Sequence, residues 1–205
     1  MALKTGDEYR ESLRDGRQVW MDGEAVEDVP SHPAFKPIVD ARARIYDMAH
    51  EDAFRDRLTY ADDSGERYVV VNKLPHTTQD WYDKWNAVDA ELRELGGVVT
   101  RIGDETVGEL WSLYDGKDVL DEVDPRFGEN ITRHIRRVID EDIFHVSANT
   151  DPKGDRSLPP QQQDPDMLLH VTDETDAGII VRGAKYETAA SYAHQAFVKP
   201  TIANW

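Results

Sequence analysis

The sequence contains no cysteine. Disulfide frameworks, zinc–thiolate sites, iron–sulfur clusters and cysteine nucleophiles are thereby excluded. No apolar run approaches the roughly 20 residues that span a bilayer, and residues 1–10 lack the apolar core of a signal peptide. The default expectation is a soluble, cytoplasmic protein. Basic residues are scarce: 24 Lys and Arg stand against 41 Asp and Glu, a formal net charge of −17. Nucleic-acid binding by counterion release needs Lys and Arg arrayed on a face, and anionic membranes repel an acidic chain. Neither is expected as a partner. The acidity itself reads as solubility or as adaptation to high salt. Common site motifs are also missing: no G-x-G-x-x-G after a strand, no G-x-x-x-x-G-K-[ST], no H-E-x-x-H and no G-x-S-x-G. His134 and His145 stand at no standard ligand spacing, so no metal is expected.

What is present is a lean globular composition, 39% hydrophobic and 32% charged over 205 residues. Thr5 to Asp15 carries Leu13 as its one strong apolar residue and reads as a short surface helix. Asp22-Gly23 between two short apolar arms signals a hairpin. Ile38, Ala41, Ile45, Met48 and Ala49 recur at helical spacing after His32-Pro33. A turn at 62–65 precedes a short strand over 68–71. Thr77 opens a helix with Asp80 in its first turn. Trp81, Trp85, Val88 and Leu92 form that helix's expected core stripe, ending at Gly96-Gly97. Two more helices are expected over 105–114 and from Pro125, the latter carrying Ile131, Ile135, Val138 and Ile139. The texture then changes. Residues 149–165 are rich in Asp, Pro, Gly and Gln, a long aperiodic loop of the functional or disordered kind. Strand-like runs follow at 167–172, 179–186 and 196–199, too few to close a β domain. The stretch Asp173 to Gly178 superficially suggests a calcium loop but lacks the EF-hand ligand series, and a plain turn is the better reading.

The segment from Phe144 to Ser157 is the most suggestive chemically, because it lies at the helical-to-β junction where clefts form. His145 offers a proton exchanger near neutral pH. Lys153 and Arg156 flank Gly154, so charge and backbone N–H groups can meet a phosphate or pyrophosphate. A solvated loop with one packed histidine is the other reading. Arg101, after a Gly-Gly pair and before a helix start, can hold an anion or a planar ring, or lie on the surface.

Taken together, several motifs resemble the 4-hydroxyphenylacetate 3-hydroxylase large (oxygenase) component family. They are residues 3–24, with Tyr9, Leu13, Arg17, Trp20 and Gly23; residues 32–47, with His32, Pro33, Phe35, Asp40, Arg42 and Tyr46; and residues 176–185, with Gly178, Gly183, Ala184 and Lys185, followed by Thr188. The resemblance runs from Leu3 to Trp205. It implies a mixed α and β, acyl-CoA-dehydrogenase-like fold: a helical N-terminal domain over 1–143 with a small hairpin, then the start of a middle β domain over 144–205. The middle domain is expected to be incomplete and the C-terminal helical bundle absent. The implied chemistry is two-component. A separate flavin reductase supplies FAD as FADH2, and the oxygenase hydroxylates a small phenolic or related aromatic substrate through a C4a-hydroperoxyflavin.

Carried over residue by residue, the resemblance makes His145 the histidine that touches phenol and flavin. Val146 and Ser147 follow it in the flavin-contacting turn. Lys153, Gly154, Asp155 and Arg156 fall in the FAD-holding loop, and Thr188 is the threonine that hydrogen-bonds the flavin. Arg101 opens the substrate segment as a second catalytic residue, and Thr201 sits near the substrate-contacting Ser-Thr pair. Glu105 replaces the family tyrosine that helps hold the phenol. A carboxylate there repels a carboxylated substrate and can pair with an amine. Members usually form homo-oligomers. The expectations left open are an N-terminal part of such a monooxygenase, inactive alone; a non-catalytic subunit or fragment needing a remaining C-terminal portion or second chain; and a same-fold flavin enzyme with a non-phenolic substrate. For this chain, the related 4-hydroxybutyryl-CoA dehydratase branch, which holds its iron–sulfur cluster with cysteine, is not expected, because the residue is absent.

Overall fold

The computed structural model describes residues 3–97 and 104–199. Helix α1 (Gly6–Ser12) starts at a reciprocal capping box, in which Thr5 caps Glu8 and Glu8 caps Thr5. It is not the surface helix expected from Leu13 alone. Tyr9 and Leu13 are both fully buried, because Tyr9 stacks on Tyr46 with ring centroids 5.0 Å apart and donates its hydroxyl proton to Tyr192 O at 2.7 Å. Strands β1 (Val19–Met21) and β2 (Glu24–Val26) form the expected hairpin. Its turn residues Asp22 and Gly23 both take positive φ, 53° and 86°, which Asp-Gly supplies with little strain. Helix α2 (Lys36–Met48) buries Val39, Ala43, Ile45, Tyr46 and Met48.

Helix α3 (Arg55–Leu58) leads to strands β3 (Thr59–Ala61) and β4 (Arg67–Val69), paired antiparallel. The strand expected over 68–71 ends at Val69, and Val70–Asn72 turns as a short 3-10 helix. Helix α4 (Thr78–Glu94) starts at a second capping box, Thr77 with Asp80. Its expected tryptophan stripe is overturned: Trp81 is 52% exposed and Trp85 70%. The buried residues are Ala87, Ala90 and Glu91, whose small alanine side chains suit close packing of the helix on its neighbours. Trp81 instead meets Trp111 edge-on at 5.3 Å. Helices α5 (Asp104–Asp115), α6 (Lys117–Asp121) and α7 (Arg126–Glu141) follow. As expected, α7 buries Ile135, Val138 and Ile139. It stops at Asp142, which adopts left-handed backbone (φ 45°), lies buried, and accepts a hydrogen bond from Asn72 Nδ2 at 3.1 Å.

Strand β5 (His145–Ala148) pairs in parallel with β8 (Gln195–Val198). Between them, β6 (His170–Thr175) and β7 (Gly178–Arg182) form an antiparallel hairpin. The segment from Asp173 to Gly178 is this hairpin's turn end. Every residue of β6 and β7 is exposed. One core cluster joins Tyr9, Val39 and Tyr46 to Phe144, Val146, Ala189 and Tyr192, so the helical and β segments meet there. A second unites Val107, Leu110 and Trp111 of α5 with Ile135, Val138 and Ile139 of α7. No helix among the described residues is long and apolar enough to cross a membrane.

Candidate functional site

Strand β5 is buried along its whole length, and alternation sends its side chains to opposite faces. Phe144, just before the strand, and Val146 join the first core cluster. On that side lies His194, whose hydrogen bonds are complete. Phe144 N–H donates to its Nδ1 at 2.8 Å, so the ring proton sits on Nε2, which donates to Ser12 Oγ at 2.8 Å. Ser12 passes its own proton to Tyr9 O at 2.7 Å. Burial pushes His194 down to about 3.

His145 is different. It is 2% exposed, yet neither ring nitrogen has a hydrogen-bond partner among the described residues. Its ring meets the half-buried His134 edge-on, centroids 5.1 Å apart. Burial, reinforced by His134 and Arg137, pushes His145 down to about 4. At pH 7 it is therefore a neutral imidazole with an available lone pair, able to accept a hydrogen bond from a weak acid such as a phenol. Two residues on, Ser147 donates its hydroxyl proton to Glu109 Oε2 at 2.9 Å. The other oxygen of Glu109 holds Lys199 Nζ at 2.7 Å.

The aperiodic loop after β5 encloses a mainly apolar cleft of about 580 Å³ lined by Thr150, Lys153, Arg156, Leu158, Met167 and Leu168 among others. Lys153 and Arg156 supply its cationic lining, with no ion pair to either among the described residues. Gly154 takes φ +50°, and a Cβ there would meet Gln163 Oε1 at 2.6 Å and Met167 Sδ at 2.7 Å. Gln163 accepts from Asp155 N–H at 3.1 Å and donates to Leu158 O at 2.9 Å, bracing the loop on itself. Asp155 caps Ser157, whose N–H and hydroxyl lie 2.9 and 2.7 Å away, and these bonds lower its carboxyl below the usual range. The loop is anchored by an almost fully buried ion pair, Asp151 to Lys185, at 2.6 Å. A cleft of this size with two cations and an apolar floor suits a planar ligand bearing phosphate.

The structure brings Lys153 and Arg156 together on this cleft, with Gly154 and Asp155 in the same loop. His145 and Ser147 lie on the β5 face toward α5 and α7, while Val146 points into the core and borders a second cleft of about 450 Å³ with His194 and Arg17. Thr188 is exposed, and its N–H and hydroxyl both donate to the Glu187 carboxylate. It lines neither cleft. Glu105 is helical within α5, but its side chain lies outside the described part, as do Arg101 and Thr201 entirely. Sequence reasoning missed Glu109, Gln163 and His194. Glu109 was findable as the residue one helical turn after Glu105. Gln163 and His194 left no local signal. No group of three or more His, Asp and Glu positioned to hold a metal occurs among the described residues.

Residues 5–205 match the family described as 4-hydroxyphenylacetate 3-hydroxylase N terminal. The chain is 34% identical over 196 residues (95% of its length) to a (3S)-3-amino-3-(3-chloro-4-hydroxyphenyl)propanoyl-[peptidyl-carrier protein] monooxygenase of Streptomyces globisporus, covering 36% of that protein. It is 30% identical over 200 residues (97%) to the 4-hydroxyphenylacetate 3-monooxygenase oxygenase component of Thermus thermophilus, covering 40% of it. Among solved structures, an oxygenase component of 4-hydroxyphenylacetate 3-monooxygenase complexed with FAD and 4-hydroxyphenylacetate superposes with a TM-score of 0.86 at 30% identity, over 97% of this chain and 41% of that one. The chain thus spans about two fifths of the length of the curated relatives it matches.

Proposed function

The chain belongs to the 4-hydroxyphenylacetate 3-hydroxylase family, and from that premise we propose that it forms the N-terminal part of a two-component, FADH2-dependent aromatic monooxygenase with an acyl-CoA-dehydrogenase-like fold. The observation that carries this reading is His145, a buried neutral imidazole with both nitrogens unpartnered among the described residues. An unsatisfied buried polar group costs stability, and a partner that arrives with a ligand accounts for it. The residues present fit a flavin dinucleotide. The cleft beside β5 has two cations for the pyrophosphate.

In this reading Lys153 and Arg156 hold the phosphates. His145 accepts a hydrogen bond from the substrate phenol, drawing its hydroxyl proton outward and raising electron density on the ring carbon ortho to the oxygen. Ser147 and Thr188 orient the flavin ring, and Arg101 and Thr201 border the substrate. Bound reduced flavin supplies the electrons that activate dioxygen, and the surrounding apolar surface excludes water. Glu105, a carboxylate at the substrate segment, favours an aromatic substrate bearing an amine over one bearing a carboxylate. A separate flavin reductase supplies FADH2, and the assembly is a homo-oligomer in the cytoplasm.

A second reading, that this chain needs a further polypeptide segment to complete the flavin site, is favoured by the β6–β7 hairpin. It exposes Val171, Ile179, Ile180 and Val181 by about half or more each, and an isolated two-stranded hairpin is marginal in water. The test is hydroxylation by natively isolated protein supplied with FAD, a flavin reductase, its nicotinamide donor and labelled dioxygen, with a panel of phenols carrying amine or carboxylate. Labelled oxygen in an amine-bearing product is the expected result. Failure to label any phenol, with flavin bound, contradicts it.

A further inference from the structure

The loop that walls the 580 Å³ cleft leaves from the end of β5 and returns just before β6, and one short segment after β7 holds both of its ends. Tyr186 N–H donates to Thr150 O at 2.8 Å, and Ala184 N–H donates to Met167 O at 3.1 Å. Gly183 lies so close to the returning end that a Cβ there would collide with Leu168 O. Between the two backbone bonds stands Lys185. Its ammonium meets Asp151 at 2.6 Å, with the two side chains only 6% and 13% exposed. The main chain alone already clasps the mouth of the loop, so anchoring does not exhaust the role of this pair. Nor does fold stability explain it, since a buried ion pair exchanged for neutral groups of similar size is often no loss.

Charge supplies the missing role. Among the described residues, Asp151, Lys153 and Arg156 are the charged ones lining the cleft, two cations and one anion. A bare carboxylate on the wall of a phosphate-binding cleft repels the ligand and cancels part of the attraction of Lys153 and Arg156. At so little exposure to solvent, salt screens that repulsion weakly. Lys185 is not part of the lining, so it offsets the charge of Asp151 without taking up space in the cleft. We propose that Lys185 sets the preference of the cleft for phosphate by masking Asp151, so that Lys153 and Arg156 face the ligand uncancelled. It is a positioning residue that acts through Asp151 and touches no ligand itself. This rests on the phosphate-binding part of the flavin reading above.

The test is calorimetric titration of natively isolated protein with inorganic pyrophosphate at low salt, where charge is least screened. Lys153→Ala removes a lining cation and should weaken binding, which locates the probe at this cleft. Lys185→Met removes the mask and should weaken pyrophosphate binding by about tenfold. The double variant Asp151→Asn with Lys185→Met removes the mask and the masked group together, and should bind within about threefold of wild type. A double variant as weak as Lys185→Met would make the pair a brace for the loop and overturn the proposal. A Lys185→Met variant that binds like wild type would do the same. Should Lys185→Met fail to fold by urea titration, Asp151→Asn alone decides. With the carboxylate gone and the lysine kept, it should bind pyrophosphate at least as tightly as wild type, and weaker binding overturns the proposal. A wild type that binds no pyrophosphate, or a Lys153→Ala variant that binds it undiminished, overturns the phosphate reading and this proposal together.

Discussion

The two faces of strand β5 each shield a histidine from water, and treat it in opposite ways. On the side of Phe144 and Val146, His194 is bonded at both nitrogens, its tautomer set by a backbone N–H and a serine. On the side of His145, a more deeply buried imidazole has no bond at either nitrogen among the described residues. Both are held neutral by burial, so charge does not distinguish them. Satisfaction does. A histidine whose bonds are all made within the chain contributes to folding, while one left unpaired carries a desolvation cost that the fold alone does not offset. On that contrast we assign His194 to structure and propose His145 for a ligand.

The sharpest break of this comparison is His145→Phe. The ring volume is nearly kept and no bond is lost, so the unfolding free energy in urea should change by less than about 1 kcal/mol. Hydroxylation should fall at least about a hundredfold, the usual worth of a preorganised hydrogen-bonding group at the reacting atoms. His194→Ala should do the reverse. It strands the Phe144 N–H, removes the Ser12 contact and opens a cavity beside Tyr9, for a loss of about 3 kcal/mol, measured by the same urea titration.

Asp142, three residues before His145, lies between the two cases, with Asn72 as a side-chain donor in a buried setting. Burial raises its carboxyl to about 6, against a reference of 3.8. The folded state therefore holds a proton that the unfolded chain has already released. The stability this contributes is full below about pH 4 and is lost as pH rises through 6. Asp142→Asn, which tolerates the left-handed backbone, should be the more stable protein at pH 7 by up to about 3 kcal/mol. The advantage should appear between pH 4 and 6 in chemical unfolding at stepped pH. The smallest effect is expected at Trp85→Ala. At 70% exposure it should cost within about 0.5 kcal/mol, and a loss above 2 kcal/mol in thermal melting would restore it to a core.

Local chemistry was the legible part of this fold. Asp22-Gly23 and Thr77 with Asp80 declare a turn and a helix start within four residues, and the α7 stripe of Ile135, Val138 and Ile139 points one way because its opposite face is charged. Helix α4 misled because two tryptophans outweigh two alanines on any hydropathy count. The buried face is decided by how closely the partner approaches, which favours Ala87 and Ala90. Tyr9 was overlooked for the converse reason, since its burial depends on Tyr46 and Tyr192, far away in the chain. The candidate site divides along the same line. His145 and the Lys153–Arg156 pair stand out in one segment, whereas Glu109, Gln163 and His194 acquire their roles only when α5, the loop and the chain's later residues converge on β5.

The central claim is that the unpaired nitrogens of His145 await a ligand. The most direct test is to label the histidines of natively isolated protein with nitrogen-15 and follow their ring resonances during an anaerobic titration with reduced FAD and a phenol. The account predicts that the His145 nitrogens shift as a hydrogen bond forms, while those of His194 stay fixed. Stationary His145 resonances at saturating flavin and phenol, or a shift confined to His194, would contradict it.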